Sequence, residues 1–213
     1  MQPTASLVGR AAIGLRAHSG WAVLVTVGGT LTAPTVIQRR RIELADRGIS
    51  GSAQPYHAAK PMKLEEAEAF LERCADTTRA MALKAVQAAV GELAEQRYTI
   101  AGSCILLSSG RTTAELAAIL ASHPAMHTAE GEFFRQALRS AGEACGLSVS
   151  GVKERELLSR SAVALGIEPD GIERRVSAMG KVIGPPWRQD EKLCALASWL
   201  VLGNADEMAL SWR

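Results

Sequence analysis

The sequence predicts an α/β fold, a mixed five-stranded sheet with helices on both faces, on three observations. Two short apolar runs, Ala11 to Leu15 and Trp21 to Val27, flank a turn at Gly20, and a β-branched stretch from Thr35 to Leu44 follows a second turn at Gly28-Gly29-Thr30. These read as three antiparallel strands joined by tight turns. A long segment of helical period comes next, from Leu64 to about Gln96. Two more apolar runs, Tyr98 to Leu107 and Leu147 to Val152, are each preceded by helical sequence. Crossovers of that kind join parallel strands and are right-handed.

Taken in order, the third strand lies nearer the sheet edge because Arg39, Arg40 and Arg41 interrupt it. Strand alternation sends Arg40 to the face opposite its neighbours, so the run is expected to be a solvated edge rather than one basic face. Ala45 to Pro61 is rich in Gly, Ser and Pro and has no usable period. It is expected to be a loop of about 17 residues, carrying Tyr56 and His57, and loops of that length are often functional. In the long helix Leu64, Ala67, Leu71, Cys74, Thr78, Met81, Ala85, Ala89 and Leu93 form the buried stripe. It runs roughly 50 Å or breaks near Gly91. Ser108-Ser109-Gly110-Arg111 follows the fourth strand, and Thr112 or Thr113 caps a short helix through Ser122.

Pro124 ends that pattern, since the residue before a proline is pushed out of the α region. A second helix starts near His127 or Thr128 and runs to about Cys145, with Gly146 as its C′ residue. This reading keeps His123 and His127 off one regular helix. Beyond the fifth strand, Glu154 to Leu165 and Gly171 to Met179 are helices split by an Glu168-Pro169-Asp170-Gly171 turn. Gly184-Pro185-Pro186-Trp187 breaks the chain, and Gln189 or Asp190 opens a final apolar helix through Leu202.

A chain of 213 residues with 47% apolar and 22% charged residues suits one domain spanning 1–213 with a sizeable core. The net charge of +2 does not by itself announce a nucleic-acid binder. Cys74, Cys104, Cys145 and Cys194 form no C-x-x-C pair and read as buried thiols of a reducing, cytoplasmic setting. The N-terminal residues lack the apolar run of a signal peptide, and no stretch approaches the about 18 apolar residues of a membrane span. Membrane partners are therefore not expected, and assembly with further copies is left open.

The order of elements is that of the ribonuclease-H-like fold, and within it the chain resembles RuvC-type Holliday-junction resolvases. A-A-I-G-L-R-A-H-S-G stands where that family has a first strand of the form I-G-I-D-P-G. T-A-E-G-E-F-F-R-Q-A-L is similar to its small-residue helix after the fourth strand, and Q-D-E-K-L-C-A-L-A-S-W-L to its last helix. The resemblance implies a sheet of order 3-2-1-4-5 and an acidic site for phosphodiester cleavage. Arg16 occupies the place of the first catalytic aspartate, and Ser108 or Ser109 that of the fourth-strand glutamate. Asp190, with Glu191 beside it, stands where a family carboxylate would. Two-metal cleavage needs clustered carboxylates around cations about 4 Å apart, and an arginine there repels them.

In the 3-2-1-4-5 order the C-terminal ends of strands 1, 3, 4 and 5 share one edge, the usual ligand side of an open α/β sheet. His18, His127, Glu130 and Asp190 are expected to line one pocket there as the candidate catalytic residues. Imidazole and carboxylate donors suit a divalent transition metal, so His127, Glu130 and Asp190 are the candidate ligands of one divalent ion. Arg16, Ser108, Ser109 and Arg111 are the candidate phosphate-binding groups, since hydroxyls, backbone N–H groups and guanidinium ions all hold anions.

These residues support a divergent resolvase-like protein that acts on or binds nucleic acid or another phosphate-containing ligand. The alternative is a catalytically degenerate binding or protein-interaction module on the same scaffold. Bound metal and salt-dependent affinity for nucleic acid separate the readings.

Overall fold

The computed structural model describes residues 9–108, 110 and 114–203. Five strands, β1 (Gly9–His18), β2 (Trp21–Gly29), β3 (Pro34–Glu43), β4 (Tyr98–Leu107) and β5 (Val149–Lys153), form one sheet of order β3-β2-β1-β4-β5. The β1–β2 and β2–β3 pairs are antiparallel, while β1–β4 and β4–β5 are parallel. Both the mixed sheet and its order match the expectation. Gly20 makes the first hairpin turn with φ of 79°, a conformation that costs glycine little.

Period-two alternation gives the sheet two apolar faces, and each has its own helices. Ala11, Ile13, Leu15, Leu24 and Ile105 pack against α2 (Leu64–Glu95) and α4 (His123–Ala144). Ala12, Val23, Val25, Cys104 and Leu106 pack against α5 (Glu154–Leu165), α6 (Pro169–Ile183) and α7 (Gln189–Gly203). The central helix of the second face is α7, whose Trp199 is fully buried. Its Ser198 hydroxyl accepts from the Val27 backbone N–H at 3.0 Å and donates to the Ala12 carbonyl, pinning helix to sheet. Close docking is possible because β1 has Gly14 opposite the helix: a Cβ there would lie 1.9 Å from the Cys194 carbonyl oxygen.

Several local expectations change. The segment 45–61 contains α1 (Pro55–Ala59), which starts on a proline suited to a first helical turn and buries Ala59. α2 is continuous over 32 residues and does not break at Gly91. Its buried stripe is Ala67, Phe70, Leu71, Cys74, Thr78, Ala82, Val86, Ala89 and Leu93; Leu64 at its start is exposed, and Ala82 and Val86 take the fully buried positions while Met81 and Ala85 are half-buried beside them. α3 covers Leu116–Ala121. α6 begins at Pro169, where a turn was expected, because proline in the first turn leaves no needed N–H unpaired. The same rule applies to α4, which takes Pro124 into its first turn.

Gly91 is exposed, and a Cβ there would meet nothing within 4 Å. Gly91→Ala should therefore stabilise the chain by about 0.5–1 kcal/mol through helix propensity alone. Urea unfolding of the two chains measures the difference, and a lower midpoint for the variant would contradict it.

The arginine run lies on the edge strand of the sheet, as expected, with Arg41 exposed, but its side chains are not simply solvated. Arg39 donates to the carbonyls of Gly184 at 2.9 Å, Pro185 at 3.2 Å, and Pro186, tying β3 to the loop before α7. Arg40 points the other way, to Glu92 of α2. Arg41 lies 3.8 Å from the Trp21 ring centroid and pairs with Glu43. The alternation was read as it occurs, but the side chains are spent on holding elements together.

Three cysteines are buried and the fourth, Cys145, is half-buried, all as free thiols. Burial pushes the Cys104 thiol up to about 12 and Cys194 well above its ordinary value, which suits packing rather than nucleophilic chemistry. No helix among the described residues is long and apolar enough to cross a membrane.

Candidate functional site

Two groups of polar side chains gather at the end of the sheet where β1, β3, β4 and β5 finish. The first is built on β1. Residues two apart on a strand share a face, so Arg16 and His18 point with Gly14 towards α7. Asp190 lies in the first turn of α7, and Glu154 opens α5 directly after β5. Arg16 donates from Nε to Glu154 Oε1 and from Nη2 to Oε2, both at 2.9 Å, and from Nη1 to Asp190 Oδ1. A bidentate fork of this kind is the strongest way to hold a carboxylate with a side chain.

His18 Nε2 lies 3.1 Å from the other Asp190 oxygen, Oδ2. Its ring stacks on Trp21 with centroids 4.1 Å apart and planes 10° from parallel. Burial pulls the His18 ring below its ordinary value; the Asp190 charge opposes this and the Arg16 charge reinforces it. Burial also acts against the Arg16 guanidinium, but the hydrogen bonds and charges of Glu154 and Asp190 outweigh it and leave the group raised. The neighbouring Glu191 is used for the helix start, accepting from the Arg188 backbone N–H at 2.8 Å.

The second group lies on the other face. α4 begins at His123, capped by the Ser122 side chain, which accepts from the Ala125 N–H at 3.4 Å. His123, His127 and Glu130 are then i, i+4 and i+7 on one side of one helix. α1 brings His57 to them. The ring centroids are 5.2 Å apart for His57 and His123, 4.7 Å for His57 and His127, and 4.4 Å for His123 and His127. One ring nitrogen of each lies within 4.8 Å of the others. Glu130 is 2% exposed; its Oε1 accepts from His57 Nδ1 at 2.8 Å and from the His57 backbone N–H at 3.2 Å. Its Oε2 is buried with no hydrogen-bond partner. Burial, and then the Glu130 charge, push the adjacent Tyr56 phenol up.

The expected single pocket is thus divided. His18 and Asp190 meet each other and Arg16, whereas His127 and Glu130 meet His57 and His123. The reason is the sheet itself: α4 covers one face and α7 the other, so sharing an edge does not bring their first turns into one cleft. Asp190 is accordingly not with His127 and Glu130 as a ligand set, and Glu130 uses one oxygen to hold His57. Ser108 is exposed at the end of β4; Ser109 and Arg111 lie outside the described residues. His57, read as a loop residue, and His123, read as kept off the helix of His127 by Pro124, were left out of the candidate ligands; S-H-P-x-x-H-x-x-E, an N-cap followed by a first-turn proline, is the signal that puts His123 and His127 on one helix.

The magnesium pair implied by the resemblance does not fit the first group. A guanidinium already lies between the two carboxylates that would face the ions, and the residue after the fourth strand is Ser108 rather than an acid.

No family model and no curated protein matches the sequence. Among solved structures, the chain is similar to Thermus thermophilus RuvC in complex with a Holliday junction substrate, with a TM-score of 0.52 at 9% identity over 92% of this chain and 94% of that one. A second Thermus thermophilus RuvC structure gives a TM-score of 0.51 at 10% identity over 92% and 95%. The chain therefore has a ribonuclease-H-like fold, similar in architecture to these RuvC structures across nearly its whole described length.

Proposed function

We propose that the chain binds nucleic acid, or another phosphate-bearing ligand, on a resolvase-type scaffold without performing two-magnesium cleavage at the sheet edge. The observation that carries this reading is Arg16, which holds both Glu154 oxygens and one of Asp190 where such cleavage would need free carboxylates. Arg16 acts as a lock between β1, α5 and α7, so it is not counted among the groups that meet the ligand. The similar RuvC structure is bound to a branched DNA substrate, which favours nucleic acid among phosphate ligands. Exposed Arg47 and Lys60, in the segment that follows β3 on the same edge, are the groups for phosphate contact.

Binding of labelled branched and duplex DNA, measured across a salt series, tests the reading. Affinity is expected to fall with salt, and Arg47→Glu or Lys60→Glu to lower the slope by about 1 each. Incubation with magnesium is expected to leave the DNA intact. Strong magnesium-dependent cleavage abolished by Asp190→Ala would restore a catalytic sheet edge. An absence of salt-dependent binding would instead favour the protein-interaction module.

A further inference from the structure

The geometry points to a second site, independent of the nucleic-acid reading: we infer that His57, His123 and His127 bind one divalent first-row transition ion, with Glu130 positioning His57 from behind. Three imidazoles in mutual contact are an unusual use of surface unless something is shared between them, since each added proton would place like charges within a few ångströms. Neutral rings offer instead three nitrogen lone pairs of the kind that zinc and its neighbours in the series prefer over magnesium or calcium.

The donor geometry fits. Metal–nitrogen bonds of about 2.0–2.1 Å in a tetrahedral centre place ligand nitrogens about 3.3 Å apart. The present separations, all within 4.8 Å, close to that value by side-chain rotation alone, because His123 and His127 are exposed and such rings change rotamer freely. Both lie on one helix at i and i+4, the spacing that brings two imidazoles to one ion.

Glu130 supplies the independent evidence. Its hydrogen bond with His57 Nδ1 holds the ring and leaves Nε2 as the nitrogen that would bind an ion, the arrangement in which a carboxylate orients a metal-bound histidine. Its second oxygen is buried and unpaired, so hydrogen bonding within the fold satisfies only one of the two carboxylate oxygens. A dication one imidazole away compensates the carboxylate charge. Three protein ligands leave a fourth position, and the exposure of His123 and His127 opens it to solvent, where water or an anionic oxygen completes the sphere. Sites with this composition are of the catalytic rather than the closed structural type.

Chelator-stripped full-length protein titrated with Zn²⁺ against a chromophoric competitor should take up one ion per chain. Co²⁺ should produce the intense visible absorption of a tetrahedral nitrogen and oxygen centre. Glu130→Gln should weaken Zn²⁺ about 10–100-fold, as loss of an outer-shell partner does. His123→Ala and His127→Ala should each weaken it further than that. Circular dichroism of these two exposed-site variants confirms that the fold is kept, and thermal melts should show Zn²⁺ stabilising the parent but not the His123→Ala/His127→Ala chain. Equal Zn²⁺ affinity in the parent and the double variant would overturn the site. Full affinity in Glu130→Gln, with the fold intact, would overturn the positioning role. DNA binding unaffected by stripping the metal would leave this inference standing while separating it from the proposed function.

Discussion

The Arg16→Asp chain is expected to be less stable than the parent by about 2–3 kcal/mol in the presence of chelator, and to recover most of that loss when magnesium is added. The variant loses the three charge-assisted hydrogen bonds of Arg16, each worth about 1.5–3 kcal/mol at full burial. Solvent reduces the total, because the three side chains keep 23%, 38% and 24% of their surface. The new carboxylate would also face Asp190 and Glu154 without a cation between them, and three acids so placed repel until a divalent ion enters. A magnesium concentration near 100 times its dissociation constant returns about 2.7 kcal/mol by mass action. Arg16→Gln is the control: it breaks the lock without adding a charge, so it should be destabilised and remain indifferent to magnesium. Urea midpoints with and without magnesium decide the matter, and an equal response in parent, glutamine and aspartate chains would show that Arg16 does not occupy a cation's place.

Gly14→Ala should have the largest effect on stability of any single methyl addition in β1, about 3 kcal/mol or more. The added Cβ would sit 1.9 Å from the Cys194 carbonyl oxygen, 2.7 Å from its carbon and 3.1 Å from its Cα, all backbone of α7. Backbone cannot rotate aside as a side chain can, so the helix must lift from the sheet. Overpacking in cores costs about 1–3 kcal/mol even where side chains can adjust. Lifting α7 would also loosen Ser198 from Val27 and Ala12 and withdraw Asp190 from Arg16 and His18. Thermal unfolding measures the loss. A variant that melts with the parent would mean that α7 docks less closely than the structure has it.

The I-G of A-A-I-G-L-R was read as part of a family pattern, and its physical reason lies in this contact. The alternation of β1 was legible from Ala11 to Leu15, where the apolar run was read to end. That the strand continues to His18, so that Arg16 and His18 share the face of Gly14, was decided by the pairing of Arg16 with Val23 and of His18 with Trp21. The existence of α4 and α7 follows from sequence alone, because both carry long apolar patterns, and so does the order of the five strands once two hairpins and two crossovers are recognised. His123, His127 and Glu130 could also have been placed on one helix side from the sequence. The error was local: proline was treated as a stop when a capping serine two residues before it makes it a helix start.

What only the tertiary structure decided is which helix covers which face. A strand's period announces two apolar faces but carries no label for their partners, since those depend on where non-local crossovers return and on how closely helices dock. With α4 on one face and α7 on the other, the sheet divides residues that its edge seemed to unite. Asp190 goes to Arg16 and His18, and His127 and Glu130 go to His57. His57 shows the same limit most clearly: it lies on a five-residue helix with no period to detect, and 73 residues separate it from the carboxylate that orients it. Local propensity fixes neither fact, because both arise from packing between segments that meet only in the folded chain.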